Sequence, residues 1–273
     1  MNYIRTGSLN YFKIKLACGH RKVLNIFTSN RIALKNKTME INIWSDIRCP
    51  FCYIGKRKFE AALVNFPHKD QITVHWKSFE LDPNLETKPE VDYTEYFIEH
   101  KNVDRDTALG MFNNVTAMAR EVGLAFNIKD GVIANSLNAH RLLHYAKKEG
   151  YADATKEALL KAQLVDAENI DDKEHLIALA KAIGMDGDAV REMLNSDDYT
   201  YEVRQDELEA RNLGINGVPF FVLDHKYGIS GAQPTEVFAE ALDQAWKKHN
   251  EEKLTILPVG ETSGSCDVDG NCS

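Results

Sequence analysis

The chain has 273 residues, 44% hydrophobic and 27% charged, with five cysteines and seven prolines, enough apolar material for one large or two modest domains. That composition excludes a disordered chain, a collagen-like chain and a disulfide-dense scaffold, and no apolar run reaches the ~18 residues of a membrane-spanning helix. The net charge of −8 is unevenly laid out: residues 1–38 carry eight Lys/Arg and no Asp or Glu, leaving 25 basic and 41 acidic residues in the remainder, a body that repels nucleic acid.

The basic end, residues 1–38, lacks the apolar core of roughly 7–15 residues that a secretory signal needs. An organelle transit peptide, an extension upstream of a domain that begins at Met39, and a structured or binding arm stay open. The reading adopted is a poorly ordered extension.

From Glu40 the chain becomes orderly. Glu40–Ser45 alternates Ile41, Ile43 and Ser45 against Asn42 and Trp44, which predicts a strand. It runs into Cys49-Pro50-Phe51-Cys52, where Pro50 suits a first helical position because its missing N–H costs nothing there. Ala61, Ala62, Leu63 and Phe66 carry that helix toward Pro67, and Ile72–Phe79 reads as a second strand. Between Pro89 and Pro219 there is no proline. In that interval Asp104 or Asp106 caps a helix with Ala108, Met111, Val115, Met118 and Val122 inward, stopping at Gly123. Ser136 opens another that carries Leu142, Leu143 and Ala146 to Gly150. Asp172–Ile183 stops at Gly184, and a further helix runs through Val203 and Leu213 to Gly214. Strand character returns at Gly217–Leu223 and Tyr227–Ser230, a hairpin. Pro234–Lys248 is a terminal helix with Val237, Phe238, Ala241, Leu242, Ala245 and Trp246 inward.

Cys49 and Cys52 are the sharpest chemical feature. At i and i+3 in a helix's first turn, two sulfurs approach disulfide distance, and the free N–H groups and positive dipole end favour a thiolate on the first. Such a thiolate attacks a partner disulfide and the second thiol resolves the mixed disulfide; Arg48 and Lys56 add positive potential. Two other readings remain: half of a zinc site completed by Cys266 and Cys272, or an inert pair.

The stretch Ile43-Trp44-Ser45-Asp46-Ile47-Arg48-Cys49-Pro50-Phe51-Cys52-Tyr53-Ile54-Gly55-Lys56 resembles the DsbA superfamily of thioredoxin-fold thiol–disulfide oxidoreductases, most closely its cytoplasmic FrnE-like branch. Ala139-His140-Arg141-Leu142 and Gly214-Ile215-Asn216-Gly217-Val218-Pro219-Phe220-Phe221 agree with it, over about residues 39–250. The resemblance implies an α/β, thioredoxin-like fold with a large all-helical insertion: residues 39–90 and 214–250 form the thioredoxin-like part, 91–213 the insertion and 251–273 a tail. It implies Cys49 as nucleophile, Cys52 as resolving thiol and Pro219 as a cis proline facing them, with the backbone of Val218, beside Pro50 and Phe51, meeting the substrate peptide. From the residues alone, Val218-Pro219 also admits a trans bond. Strong oxidants of the superfamily carry histidine before the second cysteine. Phe51 offers no charge or N–H there, so the pair is expected to be more reducing than oxidants at about −120 mV.

Cys266 and Cys272, separated by five residues that include Gly and Asn, admit a local disulfide. FrnE-like proteins often carry such a second pair, so an auxiliary redox pair, an inert tail and metal binding are weighed together. Cys18 reads as a bystander thiol. His140 and His144, one turn apart, read first as helix or core histidines and only secondarily as metal ligands. Trp44, Trp76 and Phe79 read as core, with a second role lining the groove beside Cys49.

The expected function is oxidation, reduction or isomerisation of protein disulfides, without metal or organic cofactor, in the cytoplasm. Its partners would be protein thiols and disulfides, with glutathione or a thioredoxin-type reductant exchanging electrons; no nucleic acid or membrane is expected, and the chain would act as monomer or homodimer. Two rivals are carried: a glutathione-dependent transferase or isomerase of the kappa-class type, which has serine where Cys49 stands, and a non-catalytic adaptor.

Overall fold

The structure is a computed structural model, and it describes residues 38–251. The basic extension, Cys18 and the Cys266–Cys272 pair lie outside the described residues. Among those described, the order is β1 (Met39–Ser45), α1 (Pro50–Val64), a short 3-10 turn (Lys69–Gln71) and β2 (Ile72–Ser78). Seven helices follow: α2 (Tyr93–Lys101), α3 (Arg105–Glu121), α4 (Leu137–Glu149), α5 (Ala152–Leu164), α6 (Lys173–Ala182), α7 (Gly187–Asn195) and α8 (Thr200–Asn212). Then come β3 (Phe220–Leu223), β4 (Tyr227–Ser230) and α9 (Thr235–Glu251). This is the thioredoxin-like fold with a helical insertion that the resemblance implied.

The sheet runs β2-β1-β3-β4. β1 and β2 are parallel, Met39 opposite Ile72 and Ser45 opposite Ser78, with α1 as their crossover. β3 pairs antiparallel with β1, placing Phe221 against Ile43, and turns back into β4 through Asp224 and His225, both at positive φ. The predicted alternation in β1 is visible in the letters but not in the burial. Ile41 and Ile43 are buried, but so are Asn42 and Trp44, because a central strand is covered on both faces. One face packs on α1 and α9, where Phe59, Phe221 and Phe238 meet with ring centroids 4.7–5.9 Å apart. On the other, Trp44 packs with Ala210 of α8 and Ile215, and its indole N–H donates to the Asp206 carbonyl at 2.9 Å.

The helical block begins and ends as its letters suggest. Asp92, Asp104, Asp172 and Asp186 each accept backbone N–H groups as N-caps, satisfying donors that a first turn leaves free. Gly150 closes α4 in the left-handed region at φ 84, which a residue without Cβ adopts at no steric cost. Three apolar assignments change. In α3 the buried stripe is Ala108, Phe112, Val115 and Ala119, leaving Met111 exposed. Leu213 follows α8 into solvent, and Val237 of α9 is also exposed. The spacing read from the sequence assigns no helix to α2, α5 or α7, although α7 has an acidic cap at Asp186 and an apolar face of Val190, Met193 and Leu194. The block shares its core with the sheet: one cluster joins Ile41, Ile43 and Phe59 to Leu142, Leu159, Leu176 and Val190. Among the described residues no helix is long and apolar enough to cross a membrane.

Candidate active site

β1 delivers the chain to a turn whose centre is Asp46. Its carboxylate is fully buried, accepts the Leu81 N–H at 2.9 Å and the Arg48 N–H at 3.2 Å, and faces His140 Nε2 at 3.4 Å. Burial alone would raise its pKa, but His140 and the Leu81 N–H outweigh it and hold the carboxyl at about 2. Burial keeps His140 below the ordinary imidazole range, so it is neutral at pH 7 and donates from Nε2 to Asp46. The turn hands the chain to Cys49, the N-cap of α1, with Pro50 at the first helical position.

Cys49 and Cys52 are both free thiols, 5% and 2% exposed, and lie within hydrogen-bonding reach of each other. Facing them, the Val218-Pro219 bond is cis, and the Cys49 thiol donates to the Val218 carbonyl at 3.7 Å. The Pro219 carbonyl is tied to the Gly231 N–H at 2.8 Å. α1 comes so close to this loop that a Cβ on Gly55 would stand 2.9 Å from Pro219 Cγ. The predicted site residues Cys49, Pro50, Phe51, Cys52, Val218 and Pro219 thus fall in one place.

Donating a hydrogen bond to the Cys52 sulfur, together with burial, pushes the Cys49 thiol well above its ordinary value. For Cys52, burial opposes a charge, but the bond from Cys49 and the Lys156 ammonium bring its thiol below the ordinary value. When the pair ionises, the charge therefore settles first on Cys52 and not, as the helix start suggests, on Cys49, and its titration belongs to the pair. Lys56, expected to supply positive potential, does not. Its ammonium is buried among carboxylates, bonded to Glu60, 2.9 Å from Glu157 and 3.8 Å from Asp153. The cation acting on the pair is Lys156 of α5, pushed down to about 8 by burial, which sequence reasoning missed because Lys156 sits in a charged stretch that reads as a solvated face.

Beside Cys49 opens a groove of about 440 Å³. Its walls include Phe51, Leu81 and Met111, all exposed, and Tyr93, Phe97 and Phe112, with Arg48 and Lys101 at its edge. The aromatic wall therefore comes from α2 and α3. Trp44 and Trp76 are buried in the core, and Phe79 packs against the Trp44 cluster; none of the three lines the groove. His144 lies 3.1 Å from both the Ser78 hydroxyl and Asp206, so both histidines of α4 are taken up by core partners. Among the described residues no three His, Cys, Asp or Glu side chains gather as a metal site.

A family model described as DSBA-like thioredoxin domain matches residues 40–243. A probable DsbA oxidoreductase from Streptomyces coelicolor is 39% identical with a TM-score of 0.74, covering 86% of this chain and 98% of that one. An uncharacterized protein, YwbO, from Bacillus subtilis is 28% identical over 214 residues, 77% of this chain and 99% of that protein. A 2-hydroxychromene-2-carboxylate isomerase shares the fold at 17% identity and a TM-score of 0.57, over 79% of this chain and 100% of its own. With three quarters of its length matched and the paired thiols at the head of α1, the chain belongs to the DsbA-like thioredoxin family, whose activity at family level is thiol–disulfide oxidoreduction.

Proposed function

We propose that this protein oxidises, reduces or isomerises protein disulfides by cycling Cys49 and Cys52 between dithiol and disulfide. The observation that carries the reading is the buried thiol pair at the N-terminus of α1, with the Cys49 thiol 3.7 Å from the Val218 carbonyl on the far side of the cis bond. Cys49, the less buried of the two residues, attacks a client disulfide. The new Cys49–client bond forms as the client's own S–S bond breaks, and Cys52 then displaces the client sulfur to close the Cys49–Cys52 disulfide. Val218 and Pro219 offer backbone to an extended client segment, while Pro50 and Phe51 flank the reacting sulfur.

The groove favours a protein client over a small charged thiol. Phe51, Leu81 and Met111 are apolar, exposed and adjacent to Cys49, which suits an unfolded segment with apolar residues beside its cysteine. Glutathione or a thioredoxin-type protein then serves as the electron partner. The proposed compartment is the cytoplasm, where such a disulfide is catalytic or transient rather than structural. The FrnE-like branch, and exchange of Cys266–Cys272 with the active pair, belong to this proposal as well.

Reduction of insulin by a thiol donor tests it. Wild type accelerates precipitation, Cys49→Ser loses the activity, and Cys52→Ser accumulates a mixed disulfide through Cys49 that mass spectrometry detects. Equal activity in wild type and Cys49→Ser would overturn the reading and leave the adaptor.

A further inference from the structure

One buried cation beside the thiol pair has no ion-pair partner of its own among the described residues. Lys156 of α5 is 0% exposed. Its ammonium donates to the Ser45 carbonyl at 3.4 Å and stands 5.7 Å from the Trp76 ring centroid. Lys56 approaches the same ring at 5.8 Å, but three carboxylates neutralise it. Among the described residues no carboxylate comes within ion-pairing distance of Lys156, and burying an ion without a partner costs several kcal/mol. A fold that keeps such a cation holds it for a charge that comes and goes.

The groups that act on it are few. α1 contributes Cys49, Cys52 and Lys56, the β1–α1 turn contributes Asp46, and α4 contributes His140. Asp46 is already engaged by His140 and two backbone N–H groups, and Lys56 repels. The strongest attraction on Lys156 comes from Cys52.

We propose that Lys156 is the internal counter-ion of the Cys52 thiolate and the acceptor of its proton, so that the helical insertion sets the redox poise of the pair. The proposal rests on the redox reading above. In the mixed disulfide, the Cys52 thiol gives its proton to the neutral Lys156 amine. The resulting thiolate attacks Cys49 Sγ, and the Cys49–Cys52 bond forms as the bond from Cys49 to the client sulfur breaks. The electron pair leaves with the client sulfur, which solvent protonates; the dithiol has been oxidised and the client disulfide reduced. The disulfide carries no charge to hold the ammonium, so the lysine proton passes on to solvent. In the reverse direction Lys156 is protonated first and stabilises the departing Cys52 thiolate. It is a positioning residue, acting through Cys52, and supplies a charge that Phe51 cannot.

The test is the dithiol–disulfide equilibrium in glutathione buffers for wild type and Lys156→Met, a swap of similar volume that removes the charge. The variant is expected to keep its fold, with a melting temperature at or above that of wild type. Its equilibrium is expected to move at least tenfold toward the disulfide, about 30 mV more reducing, with the pH midpoint of thiol alkylation moved upward. A folded Lys156→Met with an unchanged equilibrium and alkylation profile overturns the proposal while leaving the redox enzyme intact. A wild type without any measurable couple overturns both. Should Lys156→Met fail to fold, NMR titration of Lys156 in wild type decides: a pKa at least one unit lower in the disulfide than in the dithiol form supports the proposal, and equal values overturn it.

Discussion

At the scale of single residues, Asp46 ties the active-site turn to the helical block. Its folded pKa of about 2 lies below the ordinary 3.8 of an aspartate, so its carboxylate stabilises the fold at pH values above about 4, and that contribution is lost as pH falls through about 2. The size is about 2 kcal/mol for a shift of nearly two units. Wild type is therefore expected to lose that much unfolding free energy between pH 5 and pH 2 beyond the loss shown by Asp46→Asn, by urea titration at each pH. Parallel curves would contradict it. Glu80 runs the other way. Burial raises its folded pKa to about 7 despite Arg204, so the native carboxyl binds a proton more readily than the unfolded one. Stability is then lost as pH rises from about 4.5 to about 7, and Glu80→Gln is expected to flatten that part of the profile.

Among the elements, α1 carries most of the site. Gly55 sits inside it, where helix propensity predicts that alanine would gain about 1 kcal/mol. The closeness of Pro219 Cγ to that position reverses the sign, because a ring cannot move aside as the end of a flexible chain does. Gly55→Ala is expected to cost about 1–3 kcal/mol and to lower insulin reduction by displacing the loop that faces Cys49; a stabilised, fully active variant would contradict the packing. This closeness is what the letters around Cys49 conceal. Cys49-Pro50-Phe51-Cys52 announces itself by local chemistry, since thiol spacing and a proline at a helix start act within one turn. Val218-Pro219 is legible only beside that pair. Gly55 reads as a weak helix position, and Lys156 as a surface charge, because the partners that give them meaning are 164 and 104 residues away in the chain. The inward face of α3 slipped by one residue, from Met111 to Phe112, since both fit a 3.6-residue period and only the packed neighbours choose between them.

At the scale of the whole molecule, the inserted helices and the sheet share one core among the described residues, which predicts a single cooperative unfolding transition. Leu159 of α5 is fully buried in the cluster that also holds Met39, Ile43 and Phe221. Leu159→Ala is therefore expected to cost about 2–5 kcal/mol and to shift the tryptophan fluorescence of Trp44 and Trp76 and the far-UV helical signal by the same amount in denaturant. Two separated transitions would show that the insertion folds on its own. The order of elements was legible because composition changes along the chain: a proline-free, helix-spaced interval stands between two strand-forming stretches. The shared core was not, since periodicity shows that a face is apolar but not which element covers it.

The central claim is that Cys49 and Cys52 form a reversible redox couple, and the equilibrium reduction potential tests it most directly. The purified protein would be equilibrated across glutathione redox buffers, quenched, and its free thiols counted by mass. The account predicts a single two-electron transition, more reducing than about −120 mV, that disappears in Cys49→Ser. Two thiols that stay reduced across the whole range, or a transition that persists without Cys49, would contradict it.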